Sequence, residues 1–252
     1  MRNLIVVIFM FFGLLVFGQG DNKTDAKGKQ GEWKKYHKNG MLSKVGNFNN
    51  DKPIGEWLYY FDTGKIKVKL THRGSESYSI SFHKSGGAQS VGKFLNQKKD
   101  STWIYYDLDG FKIASDYYIN GEKNRMSFVY YQSGQVAEEK EYRNDFEQGD
   151  WNMFWKDGKK KKTANYDKGS LEGKSTYYNS EGIRSITGFF YHDLRDGVWL
   201  YFDENGNKIK KKEKYSKGVR VDDNKDENIE TEPLQPIDVE DIMYPEIFGA
   251  PR

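Results

Sequence analysis

The run Gly55-Glu56-Trp57-Leu58-Tyr59-Tyr60-Phe61-Asp62-Thr63-Gly64-Lys65-Ile66-Lys67-Val68-Lys69-Leu70 decides the fold. In its first half Trp57, Tyr59 and Phe61 alternate with Leu58 and Tyr60. In its second half Lys65, Lys67 and Lys69 alternate with Ile66, Val68 and Leu70. A period of two puts successive side chains on opposite faces of a strand. Between the halves a short polar turn ends at Gly64, and glycine supplies the positive φ that tight turns require. The run therefore reads as a β-hairpin made of aromatic and β-branched strand formers.

The same unit recurs along the chain. Its turn glycine falls at Gly40, Gly64, Gly86, Gly110, Gly134, Gly158, Gly182 and Gly206, at spacings of 24, 22, 24, 24, 24, 24 and 24 residues. Seven residues before it stand Trp33, Trp57, Trp103, Trp151 and Trp199. Four before it stand Tyr36, Tyr60, Phe82, Tyr106, Tyr130, Phe154, Tyr178 and Phe202. Eight after it stand Phe48, Phe94, Tyr118, Tyr142, Tyr166 and Phe190. A second glycine (Gly31, Gly55, Gly149, Gly173, Gly197) is expected to turn the chain into the next unit. A lone hairpin is marginal in water, but stacked hairpins bury one another's rings. The prediction is an all-β fold: an elongated array of about eight stacked β-hairpin repeats forming one long twisted antiparallel sheet. Trp103, Trp151 and Trp199 lie 48 residues apart, which suggests a two-hairpin supercycle in which units carrying Ser127 and Ser175 interleave with ring-bearing ones. The third unit, residues 78–100, is short and holds Gly86-Gly87, which predicts a bulge or kink there.

Composition agrees. Of 252 residues, 36% are hydrophobic and 16% aromatic, so the apolar content lies in rings rather than aliphatic chains. The absence of Cys excludes disulfides, thiolate nucleophiles, thiolate metal sites and a lipid-anchor cysteine. The net charge of +3 hides an asymmetry. Residues 219–252 hold ten acidic and three basic residues, and residues 19–218 hold 27 acidic and 36 basic ones, so the tail carries −7 and the body +9.

The first residues read as an address. Arg2 precedes an unbroken apolar or Gly run from Leu4 to Phe17, and small residues follow at Gly18 and Gly20. That layout is a secretory signal peptide, cleaved after Gly18 or Gly20, with a retained anchor as the alternative. The predicted organisation is a signal peptide over 1–18, a linker over 19–30, repeats over 31–218 and an acidic, Pro-containing, largely disordered tail over 219–252. Within the tail, Ile242, Met243, Tyr244, Ile247 and Phe248 form a candidate docking motif, on a partner or back on the array.

The pattern Gly-x-Trp-x-x-Tyr-x-x-x-Gly, followed by an aromatic and a further Gly, resembles the MORN-repeat variant family over residues 31–218. Gly31-Glu32-Trp33…Gly40, Gly55-Glu56-Trp57…Gly64, Gly149-Asp150-Trp151…Gly158 and Gly197-Val198-Trp199…Gly206 carry it best. The resemblance implies a sheet of stacked hairpins serving as a binding or scaffold surface, with no catalytic residues to carry over. Family members are membrane-associated scaffolds or antitoxin-like proteins in bacteria. Units 3, 5 and 7 depart from the pattern in lacking Trp. The N-terminal Phe-Gly-Gln and the Lys/Asn/Tyr-rich composition look like exported proteins of the Bacteroidota.

Individual chemical motifs are absent or explained by the repeat. His37, His72, His83 and His192 occupy repeat positions and lie in no metal-ligand spacing, so they read as structural. Gly169 to Ser175 is one residue short of a phosphate loop, and Asp203 to Gly206 lacks two oxygen ligands of a Ca²⁺ loop. No catalytic residue, metal, nucleotide or other cofactor is predicted. Lys159, Lys160, Lys161 and Lys162, with Lys210, Lys211 and Lys212, form a candidate basic patch for an anionic lipid, polysaccharide or acidic protein; the plainer reading is protection of sheet edges. The expected function is an exported, non-enzymatic repeat scaffold for protein–protein interaction in the periplasm or at the outer membrane, without nucleic acid. An antitoxin or immunity-like protein and a polysaccharide- or envelope-binding module are the alternatives.

Overall fold

A computed structural model describes residues 22–221, and every regular element in it is a β-strand. Eight hairpins follow one another. Their arms are Gly28–Tyr36 and Leu42–Asn49; Lys52–Tyr60 and Ile66–Arg73; Glu76–Phe82 and Ala88–Leu95; Lys98–Tyr106 and Lys112–Ile119; Glu122–Lys123 with Arg125–Tyr130, and Val136–Arg143; Phe146–Phe154 and Lys160–Asp167; Ser170–Leu171 with Gly173–Tyr178, and Arg184–Tyr191; Leu194–Phe202 and Ile209–Ser216. Short strands Lys23–Asp25 and Val219–Arg220 flank them. Each arm pairs antiparallel with its sequence neighbours, giving one 20-stranded open sheet. The predicted hairpin array is therefore the fold. Residues 23–30, expected as linker, and Val219–Arg220, expected as tail, belong to the sheet. The signal-like start and the motif at 242–248 lie outside the described residues.

The turn glycines act as expected. Phe61 N–H donates to Lys65 C=O and Gly64 N–H to Phe61 C=O, closing a three-residue loop with Gly64 at φ 81°. That is a type I turn ending in a left-handed residue. Gly40, Gly86, Gly110, Gly134, Gly158 and Gly182 repeat it. The eighth loop is one residue longer, and Asp203 N–H reaches Lys208 C=O.

The second glycines act differently from expectation. The turns between hairpins are residue pairs such as Asn50-Asp51, Asn96-Gln97, Asn144-Asp145 and His192-Asp193, with both φ values positive, as a two-residue hairpin turn requires. Gly55 instead lies inside the next arm at φ 62°. There the lone Gly46, between the pairs Val45–Leu58 and Asn47–Ile54, faces Gly55, Glu56 and Trp57. This is a bulge of two surplus residues. It recurs around Ser101, Arg125, Gly149, Gly173 and Gly197, all at positive φ. The third hairpin has no such surplus: Val68–Ser81 through Arg73–Glu76 pair without a shift. Its 22-residue period is a 24-residue period without the bulge. Gly86 is an ordinary turn glycine, so the irregularity expected in this unit is the loss of a bulge rather than the gain of one.

The bulge seats tryptophan. A Cβ on Gly46, Gly92 or Gly188 would fall 2.0–2.2 Å from the ring of Trp57, Trp103 or Trp199, so each indole lies over a glycine of the preceding hairpin. Its Nε1–H then donates to the carbonyl one residue on: Asn47 (3.1 Å), Lys93 (3.0 Å) and Phe189 (3.2 Å). In the third and fifth units the facing residue is large and the tryptophan position is small. Leu70 faces Ser79, and Asp116 takes a hydrogen bond from Ser127 (2.6 Å). Lys140 faces Trp151, whose buried Nε1 has no partner among the described residues.

Candidate functional site

An open sheet has no second layer to cover its rings, yet Trp57, Trp103 and Trp199 are 3%, 4% and 0% exposed. Neighbouring rings and cationic side chains cover them. Phe48 meets Trp57 edge-on at 4.8 Å, Phe94 meets Trp103 at 4.9 Å and Phe190 meets Trp199 at 5.2 Å. Lys99 lies 4.6 Å from the Trp103 ring centre and Arg195 lies 4.3 Å from that of Trp199. The cation is attracted to the ring face while its aliphatic stem excludes water. One face of the array is thus a ladder of rings with cations over them. Trp33 and Trp151 are half-buried on the same ladder. The second set of aromatics lies on the opposite face, near the three-residue turns. Tyr130 there donates or accepts a 3.0 Å hydrogen bond with Ser115. Tyr60, Tyr106, Phe154, Tyr178 and Phe202 are half-buried, and Tyr36, on the first hairpin, is exposed.

Buried charge accompanies the ladder. Asp116, 4% exposed, takes hydrogen bonds from Tyr118 (3.2 Å) and Ser127 and pairs with Lys123 at 3.1 Å. Burial would raise the Glu213 carboxyl, but bonds from Tyr201, Lys211 and Tyr215 outweigh it and hold it below its usual value. Burial pushes the Tyr105 phenol up to about 12 and lowers Lys99 beside it. No sequence motif marked Asp116, Glu213, Lys99 or the seating glycines Gly46, Gly92 and Gly188. The glycines did leave a trace, because each lies six residues after a turn glycine and eleven before a Trp.

The predicted basic patch is dispersed. Lys159 pairs with Asp157 and Lys160 is exposed, whereas Lys161 lies over Trp155 at 4.6 Å. Lys162 is 8% exposed, with its ammonium 3.8 Å from the Trp151 ring centre and 5.0 Å from that of Tyr177. Burial among these rings, helped by Lys140, lowers Lys162 to about 8. Lys210, Lys211 and Lys212 lie on Ile209–Ser216, the last long arm of the sheet, where Lys211 pairs with Glu213 at 2.9 Å and Lys210 and Lys212 are exposed. That position fits edge protection. All four histidines hold structural contacts. His37 and His83 each lie 3.0 Å from the carbonyl of Tyr60 or Tyr106 in the next hairpin, His72 lies 2.7 Å from Ser77 and His192 lies 2.9 Å from Glu172.

The ladder opens over the third hairpin. The third hairpin carries Ser79 and Ser81 where its neighbours carry rings, and a cleft of about 600 Å³ lies over it. Phe48, Trp57, Tyr59 and Phe94 form its apolar walls, and Lys44, Lys52, His72 and Ser77 its polar groups. A second cleft of about 280 Å³ adjoins it through Lys44, Phe48 and Trp57 and adds Lys29, Trp33 and Lys35. Among the described residues no Asp or Glu lines either cleft. Among the described residues no group of three or more His, Asp or Glu is placed to hold a metal, and no helix is long and apolar enough to cross a membrane.

Comparison with known proteins adds a family. The model described as MORN repeat variant matches residues 29–50, 53–73, 127–144 and 195–215. No curated protein matches the sequence. Among solved structures, a variant of TarM from S. aureus crystallised with fondaparinux, α-GlcNAc-glycerol and UDP aligns at a TM-score of 0.30 and 16% identity over 37% of this chain and 19% of that one. The GtfA/B complex aligns at 0.25 and 12% over 41% and 19%, and another TarM structure at 0.23 and 13% over 49% and 19%. This chain therefore spans less than a fifth of the length of those structures.

Proposed function

This chain belongs to the MORN repeat variant family, whose repeats are protein- or membrane-binding modules, and from that premise we propose that it is an exported, non-enzymatic scaffold holding a protein partner on its ring-and-cation face. The observation that carries the reading is that face itself. It runs from Trp33 to Tyr215 without a second layer among the described residues, and it offers half-buried rings and cations together. Half-buried rings beside cations suit a partner of mixed apolar and acidic surface. A polysaccharide module is less well supported, because Trp57, Trp103 and Trp199 are sealed by neighbours and present no flat platform. The N-terminal Arg2 and the Leu4–Phe17 run support export, and with it a periplasmic or outer-membrane-associated setting rather than a cytoplasmic antitoxin.

The test is to express the chain in its own host, fractionate the envelope, crosslink and identify what co-purifies. A single protein partner in the envelope fraction, lost on charge reversal at Lys44 and Lys99, is the expected result. An uncleaved chain recovered only from cytoplasm overturns export. Retention on insoluble glycan without a protein partner overturns the protein-scaffold reading.

A further inference from the structure

The two adjoining clefts form a groove with a chemistry of its own. The ammonium groups of Lys29, Lys44 and Lys52 form no ion pair among the described residues, and no carboxylate of those residues lines the groove; the Asp51 carboxylate accepts the Lys29 backbone N–H at 2.9 Å. Its walls are rings. Such a groove suits a segment that combines carboxylates with apolar or aromatic side chains. The sequence contains one. Residues 222–252 hold ten Asp and Glu against two Lys and Arg, and Asp238-Val239-Glu240-Asp241 runs directly into Ile242-Met243-Tyr244-Pro245-Glu246-Ile247-Phe248.

Reach decides which copy supplies it. From Val221 to Ile242 is 21 residues, which span at most about 75 Å when drawn straight. The strand Ile66–Arg73 at the groove and the strand Ile209–Ser216 at the far end are twelve arms apart. At about 4.8 Å per arm that is about 58 Å along the sheet. The segment of the same copy arrives only if stretched to about three quarters of its full length, which loses much of its conformational freedom. A second copy carries no such constraint. We propose that residues 238–248 of one copy dock in the groove over the first three hairpins of a second copy, so that the chain self-associates through its acidic C-terminal segment. The acidic residues meet Lys29, Lys44 and Lys52, and Tyr244, Ile247 or Phe248 enters beside Trp57 and Phe94. This inference does not rest on the scaffold reading, because a self-associating chain can lack any other partner and a scaffold can be monomeric.

Sedimentation of the full chain across a hundredfold concentration range tests it. The expected result is reversible association at low salt, weakened at 0.5 M salt because the contacts are ionic. Ile247→Ala with Phe248→Ala, outside the array, is expected to weaken association at least tenfold relative to the parent, as is Lys44→Glu with an unchanged circular dichroism spectrum. A synthetic peptide of residues 238–248 is expected to bind the doubly substituted full chain and not its Lys44→Glu form. A photo-crosslinker at residue 248, in a mixture of isotopically light and heavy copies, is expected to join light to heavy at the first three hairpins. Association equal in parent and variants, crosslinks confined to one copy, or crosslinks to a different region overturns the proposal.

Discussion

At the residue scale, the array depends on complementary pairs. Trp199 lies over Gly188, so Gly188→Ala drives a methyl into the indole and is expected to cost about 1–3 kcal/mol, read by denaturant unfolding. Trp199→Ala vacates a fully buried site and is expected to cost about 3–5 kcal/mol. Lys162 gives a pH prediction. Its folded pKa, about 8, lies below the ordinary lysine value of 10.5 that the unfolded chain keeps. Between those values the unfolded state binds the extra proton, so this group makes the fold more stable as pH rises from about 8, and its full cost is present below 8. Lys162→Met is expected to abolish that rise between pH 8 and 9.5 in thermal melts, and to stabilise the fold at pH 7 by about 1–3 kcal/mol. The tryptophans were legible in sequence because they recur at fixed offsets. Lys162 was not, because a lysine in a run of four carries no mark of the ring its stem will cross.

At the scale of elements, two kinds of positive-φ position, turn and bulge, punctuate the second unit and the fourth to eighth. The turn glycines were readable, since an Asn-Gly or Asp-Gly between alternating arms has one common meaning. The bulge glycines read in sequence as turn glycines, because both sites favour the same residue for the same reason. What separates them is pairing partner, which the local sequence does not contain. Ser101 and Arg125 occupy the bulge position at φ 60° and 62°. Ser101→Gly relieves that conformation and is expected to raise stability by up to about 1 kcal/mol, measured by thermal unfolding. Turns between hairpins are tied laterally as well. The Asp145 carboxylate accepts a 2.6 Å hydrogen bond from Lys123 N–H of the preceding hairpin, with its own φ at 68°. Asp145→Gly keeps the turn and loses the bond, an expected cost of about 1 kcal/mol, and Asp145→Ala is expected to cost more because it also strains the turn.

At the scale of the molecule, contacts run between sequence neighbours, so stability is distributed unit by unit. Gly188→Ala is therefore expected to loosen hydrogen-exchange protection in residues 173–216 while leaving residues 28–73 unchanged. Equal loss throughout would show a single cooperative unit instead. The eightfold repeat made the architecture legible from sequence before any single site was. The cleft was not legible, because it arises from an absence. Ser79 in place of Trp and a missing pair of residues look like a degenerate unit in sequence, and only the neighbours' rings turn that gap into walls.

The bulge also separates two lengths that are commonly taken as one. Two residues enter or leave a hairpin at that point while every arm on either side keeps its partner, its facing and its place in the ladder. Contour length per unit is thus free to vary where the lattice of the sheet is not. A two-residue gap between related arrays marks no shift of frame, and the phase of a distant unit should be counted in arms rather than in residues.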